Sequence, residues 1–148
     1  MCAIRQVRPT SPRRGLRIQG GRGHPAVRIA LIRFAKWLRA RDTFPVRVPV
    51  YLLPGKHLIT IDGKAVSASF FAPFERRVEP YIRIATGDYP SLLRRHGRDN
   101  TLAAFIVPLS HEIIHYRQWI ETGRTWETGV GKQAVEVMRE YASSVDHP

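Results

Sequence analysis

The sequence predicts an α+β domain in which a small mixed or antiparallel sheet is combined with helices. Two observations support this prediction. Apolar residues recur at three- and four-residue spacings near both ends of the chain, whereas the middle consists of short apolar segments separated by proline and glycine. The apolar fraction of 43% over 148 residues is near the average for globular proteins, so one domain can bury a core.

The first predicted helix, over residues 26–41, has basic side chains between its apolar positions, which is the pattern of an amphipathic helix. Its apolar members are Ile29, Ile32, Phe34, Ala35 and Leu38.

Three or four strands are predicted next. Pro45 and Pro49 place the first strand at an edge of the sheet or interrupt it, because proline has no amide proton to donate to a neighbouring strand. Asp62 and Gly63 form a type I′ hairpin signal between two further strands. The predicted strands are residues 44–53, 58–61, 65–71 and 81–86.

Two longer helices are predicted at the C-terminal end, after one short helical turn at residues 91–96. The first runs from about 101 to 122 and ends before Gly123, a residue type suited to the position after a helix. Pro108 is expected to kink this helix or to mark its effective start. The last helix covers about residues 132–145.

The positive charge is unevenly distributed along the chain. The formal net charge is +12, yet residues 1–28 contain seven arginines and no acidic residue. Residues 1–25 are also rich in proline and glycine, which predicts a basic, disordered tail before a folded domain at 26–148. This tail either binds phosphate groups or is a solvated, dispensable segment.

Several protein classes are excluded by composition. A single cysteine, Cys2, rules out an internal disulfide framework, and no apolar run reaches the length of a membrane span. The chain also begins without a signal-peptide pattern. We therefore expect a cytoplasmic protein without a membrane partner.

The clearest chemical motif is His111-Glu112-Ile113-Ile114-His115, an H-E-x-x-H sequence within the predicted helix at 101–122. Residues four apart lie on the same side of a helix, so both imidazoles can reach one metal ion. Zinc accepts two histidine ligands, and Glu112 can act as general base on a zinc-activated water. The motif predicts a hydrolytic site with Zn²⁺ as cofactor.

A catalytic zinc site needs a third protein ligand. Glu136 on the last helix is our first choice, and Glu140, one turn later, is the alternative. Both lie opposite the apolar stripe of that helix, so an ordinary solvated face explains them equally well. Glu127 lies in a loop, where it would be held less rigidly. The remaining candidates are Glu121, Asp146 and His147.

The segment HEIIHY, followed by a glutamate on the next helix, resembles the gluzincin class of zinc metallopeptidases and especially the minigluzincins. The likeness covers about residues 80–145 and includes the segments Pro80–Tyr89 and Arg98–Gly123. It implies a zincin-like fold with an active-site helix and a glutamate helix, and a zinc endopeptidase that cleaves peptide or protein substrates.

The resemblance also implies individual roles. His111, His115 and Glu136 would bind zinc, and Glu112 would act as base and then as acid. The strand at 81–86 would form the upper rim of the cleft, and an extended substrate would pair with its free edge. Alternatively, this strand simply completes the sheet. Its candidate substrate-binding residues are Ile82, Ile84 and Ala85.

Two other functions remain open at this point. The net charge suggests a nucleic-acid-binding protein whose metal motif is structural or vestigial. A third hypothesis is a latent enzyme or zymogen, in which the cleft is blocked by the chain's own tail, by His147 acting as a ligand, or by the second copy of a homodimer.

Overall fold

The computed structural model describes residues 14–75 and 78–148 of the chain. In these residues four helices combine with a four-stranded mixed sheet and a separate two-stranded hairpin, so the predicted α+β class is confirmed. The helices are α1 (Pro25–Arg41), α2 (Tyr89–His96), α3 (Arg98–Thr122) and α4 (Val130–Ser144). The strands are β1 (Leu16–Gln19), β2 (Val48–Leu53), β3 (Leu58–Ile59), β4 (Ala65–Val66), β5 (Ala68–Phe71) and β6 (Tyr81–Ala85).

The main sheet has the strand order β1-β2-β6-β5, in which only β5 runs antiparallel to its neighbour. Alternate side chains of β2 and β6 are buried in a core that also contains apolar residues of α1 and α3. Helix α1 contacts β1, and α3 contacts β5 and β6. The buried sheet residues are Leu16, Val48, Val50, Leu52, Ile82 and Ile84.

Strand β1 overturns part of the predicted disordered tail. Leu16 is fully buried and pairs with Val48 of β2, so the folded domain begins before residue 26. Only two apolar side chains alternate in this strand, among arginines and glycines, and the parallel partner supplies its stability. Residues 1–13 of the predicted tail lie outside the described residues.

Strand β2 is interior, although Pro45 and Pro49 predicted an edge strand or a break. Pro45 precedes the strand, which begins at Val48. The amide of Val48 donates to Gly15 beside β1, so the backbone of Pro49 faces β6. Pairing with β6 starts only at Val50, opposite Ile82, and the proline therefore removes no ladder hydrogen bond.

Strand β6 is also interior, which corrects the prediction of a free edge for substrate. Ile82 and Ile84 pair with β2 on one side and with β5 on the other. Both side chains are fully buried, and Ala85 is 3% exposed. The segment predicted as one strand at 65–71 causes this arrangement, because it divides into β4 of the hairpin and β5, which covers the edge of β6.

Helix α3, with 25 residues, is the longest helix in the described part of the chain, and it continues through Pro108 without a break. It ends at Thr122 as predicted, with Gly123 in the left-handed conformation at φ 77°. Its apolar residues at three- and four-residue spacings form one stripe, which is buried except for the partly exposed Ile120: Leu102, Phe105, Ile106, Leu109, Ile113, Tyr116 and Ile120. The hydroxyl of Tyr116 donates to the carbonyl of Val46 at 2.5 Å and accepts from its amide at 3.1 Å. No helix in the described part of the chain combines the length and apolar character needed to cross a bilayer.

Candidate metal centre

Helix α3 presents His111 and His115 on the same side, as the four-residue spacing predicts. Their ring centroids are 4.9 Å apart. The side chain of His111 is 28% exposed, whereas that of His115 is only 7% exposed. The pair therefore lies at the boundary between the core and solvent, where a metal site remains accessible to a substrate.

The carboxylate facing both histidines belongs to Glu127, in the loop between α3 and α4. One oxygen, Oε2, lies 3.0 Å from Nε2 of His111, and the other, Oε1, lies 2.8 Å from Nε2 of His115. In the described residues these three side chains form a group whose potential ligand atoms all lie within 4.8 Å of one another. The structure thus brings a loop glutamate to the predicted histidine pair.

The residues favoured for the third ligand lie elsewhere. Glu136 is exposed on α4 and does not belong to the cluster. Glu140 forms an ion pair with Arg41 of α1, with 2.5 Å between Oε2 and Nη1. His147 contacts Asp99 at the N-terminal end of α3, about 18 Å along the helix axis from His111 at 1.5 Å per residue. Glu136 and Glu140 thus lie on an exposed face of α4, which agrees with their position opposite its apolar stripe in the sequence.

The loop at residues 123–129 is held by hydrogen bonds from backbone amides, two of which are donated to side chains of α3. The amide of Arg124 donates to the hydroxyl of Thr122, and the amide of Trp126 donates to the side-chain oxygen of Gln118. The amide of Val130 donates to the carbonyl of Glu127 itself. These bonds hold the backbone on both sides of Glu127, whose side chain is 76% exposed.

The donor set fits a zinc ion. Tetrahedral zinc with ligand distances of about 2.0–2.2 Å separates neighbouring donor atoms by roughly 3.3–3.6 Å, so the carboxylate would move away from the histidine nitrogens by about half an ångström to admit the ion. The contact between His115 and Glu127 is compatible with a bound cation. Because Nδ1 of His115 faces the accepting oxygen of Gln118 at 2.9 Å, the ring proton belongs on Nδ1, and Nε2 presents a lone pair to the carboxylate. Two acceptors at 2.8 Å require a cation or a second proton between them.

Glu112 is buried beside this cluster, with 8% of its surface exposed. The pKa of its carboxyl group is raised to about 7. Burial is the largest cause, positive charge on His115 opposes it, and the neighbouring Glu127 adds to it. A carboxylate with a pKa near 7 is well suited to accept and return a proton at neutral pH. The environment of Glu112 therefore allows its carboxyl group to gain and lose a proton near neutral pH.

Sequence reasoning identified the three motif residues but gave Glu127 a lower rank and missed Gln118. The available signal for Gln118 was its three-residue spacing from His115, which places the two side chains on one helix face. For Glu127, a signal existed in the glycines at both ends of its loop, Gly123 and Gly129. Both adopt positive φ angles that turn the chain back across α3.

No protein-family model matches the chain, and no curated protein or solved structure shows significant similarity to it. The likeness to minigluzincins therefore stays a prediction, and the functional argument depends on the geometry of the site.

Proposed function

We propose that this chain is a zinc-dependent metallopeptidase that hydrolyses peptide bonds in peptide or protein substrates. The observation that carries the proposal is the convergence of His111, His115 and Glu127 beside the buried carboxyl group of Glu112. Two histidines and a glutamate leave one position of a tetrahedral zinc site open, which is the donor set of a catalytic site.

In the proposed hydrolysis, different residues would bind the ion and transfer the proton. A zinc ion, when bound, would polarise the substrate carbonyl and lower the pKa of a water molecule. Glu112 would accept the proton of the attacking water and then give it to the leaving amine. His111, His115 and Glu127 would hold the ion, and the packing of α3 against the sheet would keep both imidazoles in register.

The free edge of β5 is our candidate for the substrate strand, in place of the interior β6. Among the described residues no strand pairs with the outer edge of β5. The amide of Ala85 donates to the carbonyl of Ser67, so the antiparallel alternation directs the backbone groups of Ala68 and Phe70 outwards. Strand β5 packs against α3, where Phe70 contacts Tyr116 and Trp119. A peptide added here would run beside the helix that carries the motif.

Metal analysis of the purified protein tests the central claim. We expect one zinc ion per wild-type chain and none in His115→Ala. Glu112→Gln should keep its zinc but lose hydrolysis of a mixed synthetic peptide library followed by mass spectrometry. A wild type without zinc contradicts the proposal, and so does a Glu112→Gln variant that cleaves at the wild-type rate.

A proline at residue 68 tests the substrate strand. Ala68→Pro removes an outward amide without removing a bond to β6, so the fold should survive. Ser69→Ala changes the neighbouring side chain and keeps every amide, which makes it the matched control. Cleavage should fall in Ala68→Pro, through a raised KM, and persist in Ser69→Ala. Equal kinetics in the two variants would exclude β5 as the substrate strand.

Nucleic-acid binding is the second candidate, and one surface favours it. Arg14, Arg17 and Arg47 line an open cavity of about 520 Å³ together with Gln19, next to the edge strand β1. Deleting residues 1–25 would remove β1, so the better test replaces the three arginines with glutamine. Salt-dependent binding of DNA or RNA that survives chelation and disappears in this variant would support the second candidate. Binding that is absent in the wild type would dismiss it.

A further inference from the structure

The side-chain oxygen of Gln118 contacts both parts of the chain that form the candidate metal centre, helix α3 and the loop at residues 123–129. It lies 2.9 Å from Nδ1 of His115 on the same helix and 2.9 Å from the backbone amide of Trp126 in the following loop. Gln118 is only 6% exposed, and His115 is equally buried. The contact with His115 is therefore shielded from competing water, and the contact with Trp126 is partly shielded.

The chemistry of this oxygen determines the roles of its two partners. A backbone amide can only donate, so the atom facing Trp126 must be the amide oxygen of Gln118 rather than its nitrogen. The same oxygen can only accept, so Nδ1 of His115 must carry the ring proton. A neutral imidazole protonated at Nδ1 has its lone pair on Nε2, which is the nitrogen that faces Glu127.

The contact with Trp126 extends this effect to the loop. Trp126 immediately precedes Glu127, so fixing its amide limits how far the carboxylate can move away from the histidines. One acceptor thus orients a ligand on α3 and restrains a ligand on the loop. We propose that Gln118 is a positioning residue, which sets the metal-binding tautomer of His115 and holds the loop that carries Glu127. This inference depends on the proposed zinc function, which it deepens.

Two protons provide a direct measurement that does not depend on catalysis. The Nδ1 proton of His115 and the amide proton of Trp126 should exchange slowly with solvent in nuclear magnetic resonance spectra of the labelled full chain. Gln118→Leu preserves the approximate volume but removes the acceptor, so both protons should lose their protection. Gln118→Glu keeps an accepting oxygen and should restore protection. Gln133→Leu, which alters an exposed glutamine on α4, is the matched control.

Zinc affinity, measured by competition with a chelator, gives the second measurement. Removing the hydrogen-bond partner of a metal-ligating histidine typically weakens binding by about 10–100-fold. We expect a loss of this size in Gln118→Leu, affinity near that of the wild type in Gln118→Glu, and no change in Gln133→Leu. A merely structural role would lower the melting temperature of Gln118→Leu without this pattern of loss and rescue.

The outcomes separate this inference from the proposed function. Rapid exchange of both protons in the wild type overturns the role of Gln118, whether or not any variant folds. Zinc binding that is as tight in Gln118→Leu as in the wild type overturns it as well, while the metallopeptidase proposal stands. A wild type that has both protected protons but binds no zinc overturns the proposed function, and the metal role of Gln118 fails with it.

Discussion

Helix α3 and the loop at residues 123–129 each supply ligands to the candidate metal centre, but they are stabilised in different ways. On α3, His111 and His115 are placed by regular helix geometry and by a core that includes fully buried Tyr116 and Trp119. The loop has no regular structure, and hydrogen bonds to its backbone amides hold it. Its ligand, Glu127, is also the most exposed of the three.

Because of this difference, ligands on a helix are easier to predict from sequence than ligands on a loop. A ligand pair on a helix is visible as a spacing, because the helical repeat converts sequence separation into direction. A ligand on a loop has no such spacing. Here the sequence signals are the glycines at the two ends of the loop and Gln118, which lies eight residues before its contact Trp126. A loop carboxylate can therefore be well positioned although the residues around it do not specify its direction.

The largest expected effect comes from removing the loop ligand. Glu127→Ala should weaken zinc binding by about a hundredfold or more, because losing even the hydrogen-bond partner of a ligand costs about 10–100-fold. Glu136→Ala removes an exposed glutamate of α4 and should leave the affinity unchanged. Competition with a chelator measures both. The reverse result would make α4 the glutamate helix that the resemblance implies.

The fold could be predicted from the sequence wherever local pattern and tertiary role agree. The bounds of α1 and α3, the turn at Gly63 and the buried stripe of α3 follow from spacing and from glycine chemistry. Strand β1 could not be predicted in this way, because a short strand among arginines is stable only beside β2. The interior position of β2 depends on which side of the strand Pro49 faces, and sequence alone does not specify that.

The site was predictable to the same extent. The motif residues followed from helix geometry, whereas the choice of Glu136 over Glu127 assumed that helices hold ligands more rigidly than loops do. The hydrogen bonds of Thr122 and Gln118 to the loop remove that advantage. Ile82, Ile84 and Ala85 lie in an interior strand because β5 pairs with β6, and a pairing between separate segments is not visible in the local sequence of β6.

A smaller effect is expected from loosening α3 while the loop is left intact. Tyr116→Phe deletes the hydroxyl that bonds both backbone groups of Val46, leaving buried polar groups unpaired. The free energy of unfolding should fall by about 1–3 kcal/mol in denaturant titrations. Tyr51→Phe, at a tyrosine that is 39% exposed, should change stability little. Similar losses in the two variants would show that the Val46 contact does not stabilise α3.

The smallest effect should arise at the junction where α3 passes into the loop. Gly123 has a φ of 77°, so Gly123→Ala forces a side chain into the left-handed region at a cost of about 1 kcal/mol. A Cβ at Gly131, the second residue of α4, would lie in open space, so Gly131→Ala should stabilise the helix by a few tenths of a kcal/mol up to about 1 kcal/mol. Denaturant titrations measure both changes.

Zinc affinity then shows how far the loop depends on this turn. If the turn sets the path of the loop, Gly123→Ala should weaken zinc binding beyond its effect on stability, whereas Gly131→Ala should not. Unchanged affinity in Gly123→Ala would mean that the contact between Gln118 and Trp126 positions Glu127 without help from the turn. The position of Glu127 would then depend on the side-chain oxygen of Gln118, so the loop would be held by α3 itself.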